Sequence, residues 1–155
     1  MKIKPIKQKD ASSCGPASIK MAVNYFNLPI SLNKIDKVSG YKKKDGLYNK
    51  DLIKTLKVLG LKTKVKINST WVDLIRFNKP NNVIIVTWML RGYIGHFSVV
   101  EKVTAKDIYL AEPESGKMIK LNKMVFLRLW FDFEPKWYPQ KNTDIILRQM
   151  VIISK

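Results

Sequence analysis

The chain of 155 residues has one cysteine, Cys14, and one histidine, His96, and each lies in a segment suited to nucleophilic chemistry. Around the first, residues 8–18 read QKDASSCGPAS. A thiol attacks carbonyls only as its thiolate, and a helix N-terminus favours that charge. Two serines before Cys14 and Pro16 after it mark a helix start here, with Ser13 as N-cap. Gly15 leaves room for a substrate carbonyl to approach the sulfur. Gln8, six residues upstream, is spaced to fold back over the helix end. There its amide, with the Cys14 backbone N–H, would hold the oxyanion of a tetrahedral intermediate. The same segment also suits a buried cysteine beside an ordinary surface glutamine, because free cysteine is among the most buried residue types. Taken alone, it leaves both readings open.

His96 lies in GYIGHFSVVEKV, residues 92–103, where a glycine turn opens into an apolar strand. This placement predicts a side chain exposed at its tip and fixed at its root, as a general base requires. The plainer alternative is one polar residue at a strand edge. The next strand ends in AEPESG, residues 111–116. Two antiparallel strands joined by a tight turn bring Glu112, at the far end of the second, to the His96 end of the first. Its carboxylate would then hold the imidazole at Nδ1 in the reactive tautomer. An acid before proline is also an ordinary way to start a turn. Glu114 lies inside that turn and is expected to point to water.

The elements that must position these residues follow from periodicity. Ala17, Met21, Ala22, Tyr25 and Phe26 form an apolar stripe at helical spacing, closed by Asn27 and Pro29. A short helix is expected from a Ser31 cap to Gly40. A third runs from about Asn49 to the C-terminal signal of Gly60. LKTKVKI alternates as a strand, and STWVDLIRF reads as another helix. The second half holds short strands at regular spacing: VIIVTWM, HFSVVEKV, DIYLAEP and KMIKL. A helical stretch over residues 123–130 follows, and DIILRQMVIIS is expected as one final strand. Helices first and antiparallel strands second define an α+β fold, a single domain over residues 1–155.

With these elements placed, the chain resembles the double-glycine-leader (bacteriocin-processing) cysteine peptidases, which are often fused to the N-terminus of ABC exporters. QKDASSCGPAS matches the family's glutamine-to-cysteine spacing and its CG-x-A motif. NYFNLPISLNKI, KKDGLYNKDLIKTLKVLGLKTKVKI, GHFSVVEKV and IYLAEPESGK follow in the family's order. The resemblance covers nearly the whole chain and implies a papain-like fold. It implies Cys14 as nucleophile, His96 as base, Gln8 as oxyanion-hole donor and Glu112 as the third triad member, where the family usually has Asp. It further implies cleavage after a Gly-Gly pair of a peptide or protein substrate, and possible association with a membrane exporter. The last 25 residues, with Trp130, Trp137 and Tyr138, follow the family pattern loosely.

Composition bounds the alternatives. One cysteine excludes an internal disulfide, and with a single histidine it excludes ordinary Cys/His zinc sites, so neither metal nor cofactor is expected. The apolar run Val83–Leu90 is far short of the roughly 20 residues that span a bilayer. No secretory signal opens the chain, so a cytoplasmic location is expected. The net charge is +17, and residues 1–70 alone contribute +12. Lysines scattered among apolar residues, with only four Arg, argue against a nucleic-acid site. The run Lys42-Lys43-Lys44 reads as a solvated loop. Two other functions fit less of this pattern: a non-catalytic peptide-binding module of the same fold, and a nucleic-acid or membrane-surface protein in which Cys14 and His96 are incidental.

Overall fold

The computed structural model describes residues 2–134 and 138–155. Trp137, from the loosely matching C-terminal stretch, lies outside the described residues. Among the described residues, five α-helices and eight strands follow in order: α1 (Cys14–Tyr25), α2 (Leu32–Ser39), α3 (Asn49–Val58), β1 (Lys62–Lys66), α4 (Trp71–Phe77), β2 (Val83–Leu90), β3 (Ile94–Val103), β4 (Asp107–Glu112), β5 (Lys117–Asn122), α5 (Lys123–Leu129), β6 (Phe131–Phe133), β7 (Ile145–Leu147) and β8 (Met150–Ser154). Six strands form one sheet, β1-β8-β2-β3-β4-β5, in which every pairing is antiparallel. The α+β class expected from the sequence is the one observed.

Strand pleating sends alternate residues to opposite faces, and each face carries its own core. Val83, Ile85, Phe97, Val99, Val151 and Ile153 pack with Ile19, Met21, Val23, Ile35, Leu52 and Leu56 of α1–α3. On the other face Ile84, Val86, Trp88, Val100 and Ile152 meet Trp71, Leu74, Phe126 and Trp130. This explains why VIIVTWM is continuously apolar: β2 is buried on both sides. Each fully buried aliphatic or aromatic side chain contributes about 1.5–3 kcal/mol relative to exposure.

The structure corrects several element-level expectations. Ser13 sits at the N-cap position of α1, but its hydroxyl does not bond the helix. Its Oγ instead accepts from the backbone N–H groups of Lys9 (3.0 Å) and Asp10 (3.1 Å). Ser31, by contrast, caps α2 as expected, and Gly40 ends it in the left-handed region. DIILRQMVIIS is not one strand. Arg148 adopts φ +50° and redirects the chain, so β7 pairs with β6 in a separate two-stranded sheet while β8 enters the main one. Trp130 holds the bend from both sides, accepting from Arg148 N (3.0 Å) and donating from Nε1 to the Gln149 carbonyl (2.9 Å). Among the described residues no helix is long and apolar enough to cross a membrane.

Candidate active site

Cys14 is the first residue of α1 and is nearly buried. The thiol therefore sits at the positive end of a 12-residue helix dipole. The turn leading into it is tied down by several contacts. Ser13 Oγ gathers the Lys9 and Asp10 amides, and Asp10 Oδ1 accepts from Ser12 N at 3.0 Å and from the Tyr41 hydroxyl. Burial together with the Asp10 bond pushes the Tyr41 phenol up. Lys9 pairs with Asp36 near the end of α2.

His96 is the third residue of β3, not its first, and its side chain is only 3% exposed. The exposed tip expected from the glycine turn is thus corrected: the ring is enclosed. Trp88, its cross-strand neighbour, meets the imidazole edge-on with centroids 6.0 Å apart and donates its own Nε1–H to Ser98 Oγ at 3.0 Å. Glu112 ends β4, whose register against β3 brings its carboxylate to the ring. The contact runs from His96 Nε2 to Glu112 Oε1, where the sequence reading had Nδ1. With Nε2 occupied, Nδ1 is the nitrogen left for the thiol. Glu112 also keeps its turn role, accepting from Glu114 N (3.0 Å) and Ser115 N (2.9 Å). Glu114, expected to point to water, forms a two-bond ion pair with Arg91 at 2.8 and 2.9 Å.

The electrostatics follow from these contacts. Burial works against a charged imidazole, but hydrogen bonding to Cys14 and Glu112, and their negative charge, outweigh it. His96 is raised from 6.5 to about 9. Burial likewise opposes the Glu112 carboxylate, yet His96 and the two turn amides bring it below the usual value. His96 is thus held protonated between Cys14 and the Glu112 carboxylate.

Gln8 joins the group through its backbone, donating from N to the Pro113 carbonyl at 2.7 Å, one residue past Glu112. Its side chain bonds no other described residue, and Oε1 is buried without a partner. Gly116, at φ +66°, permits this crossing, since a Cβ there would lie 2.7 Å from Lys7 Cβ. Gly15, beside Cys14, makes room within the chain itself. A Cβ on it would lie 2.9 Å from Leu47 Cβ and Cδ2, so the glycine admits the chain's own Leu47 onto α1.

A buried polar node supports β3 from behind, and no local sequence signal marks it. Asn49 Nδ2 donates to Asp132 Oδ2 and Glu134 Oε1, both at 2.8 Å, while its Oδ1 accepts from Thr87 Oγ1 at 2.7 Å and from Gln149. Gly95, next to His96, admits the Asp132 carboxylate, since a Cβ there would stand 3.0 Å from Oδ1. Burial, partly offset by bonds from Phe133 and Asn49, pushes Asp132 up to about 6. Cavities of about 200 and 420 Å³ lie around Tyr25 and Pro80 and carry none of the four site residues. Among the described residues no group of three His, Cys, Asp or Glu side chains is placed to hold a metal ion.

The fold is a helical layer packed on an antiparallel sheet, and the comparison with known families is specific: the peptidase C39 family pattern matches residues 2–133. The chain belongs to the peptidase C39 family. Among solved structures it is similar to the peptidase domain of Streptococcus ComA, described as a bi-functional ABC transporter involved in a quorum-sensing pathway. That match has 18% identity over 98% of both chains and a TM-score of 0.76. It is also similar to a double glycine motif protease from an AMS/PCAT transporter, solved with its leader peptide. There the identity is 21% over 99% of this chain and 94% of that one, with a TM-score of 0.72. A C39-like peptidase from Bacillus anthracis matches at 13% identity over 98% and 94%, with a TM-score of 0.71. Comparison with curated protein sequences finds no match.

Proposed function

We propose that this protein is a cysteine peptidase that cleaves peptide bonds through a Cys14 acyl-enzyme, after a Gly-Gly pair in its substrate. The observation that carries the reading is the enclosed His96, bonded at Nε2 to Glu112 and interacting with the Cys14 thiol at a helix N-terminus. The Gly-Gly preference rests on family membership and on the double glycine motif protease among the similar structures. Association with a membrane exporter rests on the transporters to which those peptidase domains belong.

In this mechanism the Cys14 thiolate attacks the carbonyl carbon of the scissile bond. The oxyanion is held by the Cys14 backbone N–H and by the Nε2–H of the Gln8 amide. As the tetrahedral intermediate collapses, the C–N bond breaks and the His96 imidazolium gives its Nδ1 proton to the leaving amine. A water molecule, deprotonated at the same nitrogen, then attacks the thioester, and collapse releases the acid and returns the thiolate. Glu112 keeps its charge throughout and holds the ring orientation.

The test is cleavage of synthetic peptides centred on Gly-Gly, with products identified by mass spectrometry, alongside labelling by an acyl-thiol probe. Wild-type protein is expected to do both and Cys14→Ala neither, with the fold of the variant retained. Peptides that bind but stay intact, with no labelling of Cys14, would make this a binding module.

A further inference from the structure

Residues 41–47 form a turn that stands beside the nucleophile. It is closed by a bridge between Lys42 and Gly46, with Gly46 N donating to the Lys42 carbonyl at 2.8 Å. Its two ends are fastened to the chain on either side of Cys14. Tyr41 donates its hydroxyl to Asp10. Gly46, at φ +73°, lies so close to the Ser12 carbonyl that a Cβ would stand 3.3 Å from it, and Leu47 fills the space above Gly15. The anchors therefore fall four residues before, two before and one after the nucleophile. Between them project Lys42, Lys43 and Lys44, all exposed.

Nothing nearby neutralises these lysines. No ion pair involves any of the three among the described residues, and the turn holds one acid, Asp45. The other carboxylates around the site are engaged: Asp10 by Tyr41 and Ser12, Asp36 by Lys9, Glu112 by His96, Glu114 by Arg91. A rim of net positive charge beside a reactive group raises the local concentration of anionic ligands.

We propose that Lys42, Lys43 and Lys44 form a basic lip of the substrate cleft that selects peptides carrying acidic residues beside the scissile bond. This rests on the peptidase reading above and adds a substrate class to it. A membrane or nucleic-acid partner would leave unexplained why the turn is fastened three times to the nucleophile loop. The lip has no aromatic residue between its lysines on which a base could stack.

Two measurements on Lys42→Ser/Lys43→Ser/Lys44→Ser protein separate the lip from the chemistry. The first is the rate of Cys14 alkylation by anionic iodoacetate relative to neutral iodoacetamide. Three unit charges beside the thiol, acting through water, should make that ratio about two- to five-fold higher in wild type at low ionic strength, with the difference vanishing in high salt. The second is kcat/KM for Gly-Gly-centred peptides bearing three Glu on one side or the other, relative to their Gln counterparts. A Glu/Gln preference in wild type that falls toward unity in the triple variant supports the lip, and the favoured side shows which flank it reads. An alkylation ratio unchanged by the triple substitution overturns it. So does loss of binding to phosphatidylserine vesicles or to an oligonucleotide with no change in the Glu/Gln ratio. Wild type that cleaves Glu and Gln peptides equally overturns the lip alone, whereas wild type that cleaves neither overturns the peptidase reading and this substrate with it.

Discussion

Of the charged groups around Cys14, His96 makes the most specific demand on pH. In the proposed mechanism its imidazolium must survive to protonate the leaving amine, and it is raised from 6.5 to about 9. The kcat/KM profile should therefore fall on its alkaline side near pH 9. The same shift bears on stability. A pKa raised in the folded state means the native protein binds the proton more tightly, so the stabilisation is complete below about pH 6.5 and is lost as pH climbs toward 9. Because Cys14 is one source of the shift, Cys14→Ala should flatten the decline in melting temperature over that window. Glu112 is tested by two substitutions. Glu112→Gln keeps the shape but removes the charge that holds the ring, and turnover should fall about 10²–10³-fold. Glu112→Asp should retain part of the activity, less than wild type, because its shorter side chain must still satisfy His96, Glu114 and Ser115. Parental rates in both variants would reduce the machinery to a Cys14–His96 dyad. Gln8→Ala should lower kcat about 10²–10³-fold with little change in melting temperature if its amide is an oxyanion donor.

Between elements, the informative contacts are the close ones. Gly15 lies where α1 meets the 41–47 turn, and a methyl group there would collide with Leu47 at its Cβ as well as its tip. A Cβ cannot swing away without its backbone, so Gly15→Ala should destabilise by about 1–3 kcal/mol in urea unfolding. Adding Leu47→Ala should recover part of that loss, although the truncation carries its own cavity cost. If Gly15 served only to admit substrate, the single variant would unfold like wild type and lose activity alone. The strands tell a similar story about reach. β3 and β4 are adjacent in sequence, so their hairpin could be foreseen, and with it the meeting of His96 and Glu112 across 16 positions. Which nitrogen Glu112 would take could not, since that depends on how far the ring is rotated beneath Trp88.

Across the whole molecule, Asn49 links the start of α3 to β2, β6 and the residue preceding β8, with partners 38 to 100 positions away. Its removal would leave the buried Asp132, Thr87 and Gln149 side chains, and the half-buried Glu134, without their shared partner. Asn49→Ala should therefore cost about 2–4 kcal/mol, read as a lowered urea midpoint, although Asn49 touches none of the four candidate catalytic residues. The molecule thus places a second buried polar group next to β3, where Asp132 rests against Gly95.

What the sequence by itself determined is the local part: the helix starting at Cys14, the alternation of β1, the doubly buried run of β2, and the hairpin that brings Glu112 to His96. These follow from spacing within a few residues or across one turn, where backbone geometry leaves few choices. The tertiary structure decided the rest. It broke the final strand at Arg148 because β6 and the main sheet compete for one segment, and no local pattern records that competition. It turned Ser13 away from the helix because two nearer amides needed an acceptor. It enclosed His96, gave Gly15 to Leu47 and fastened the lysine turn beside the nucleophile. Each of these depends on which residues, distant in sequence, come to share a small volume, and that is fixed only when the chain closes on itself.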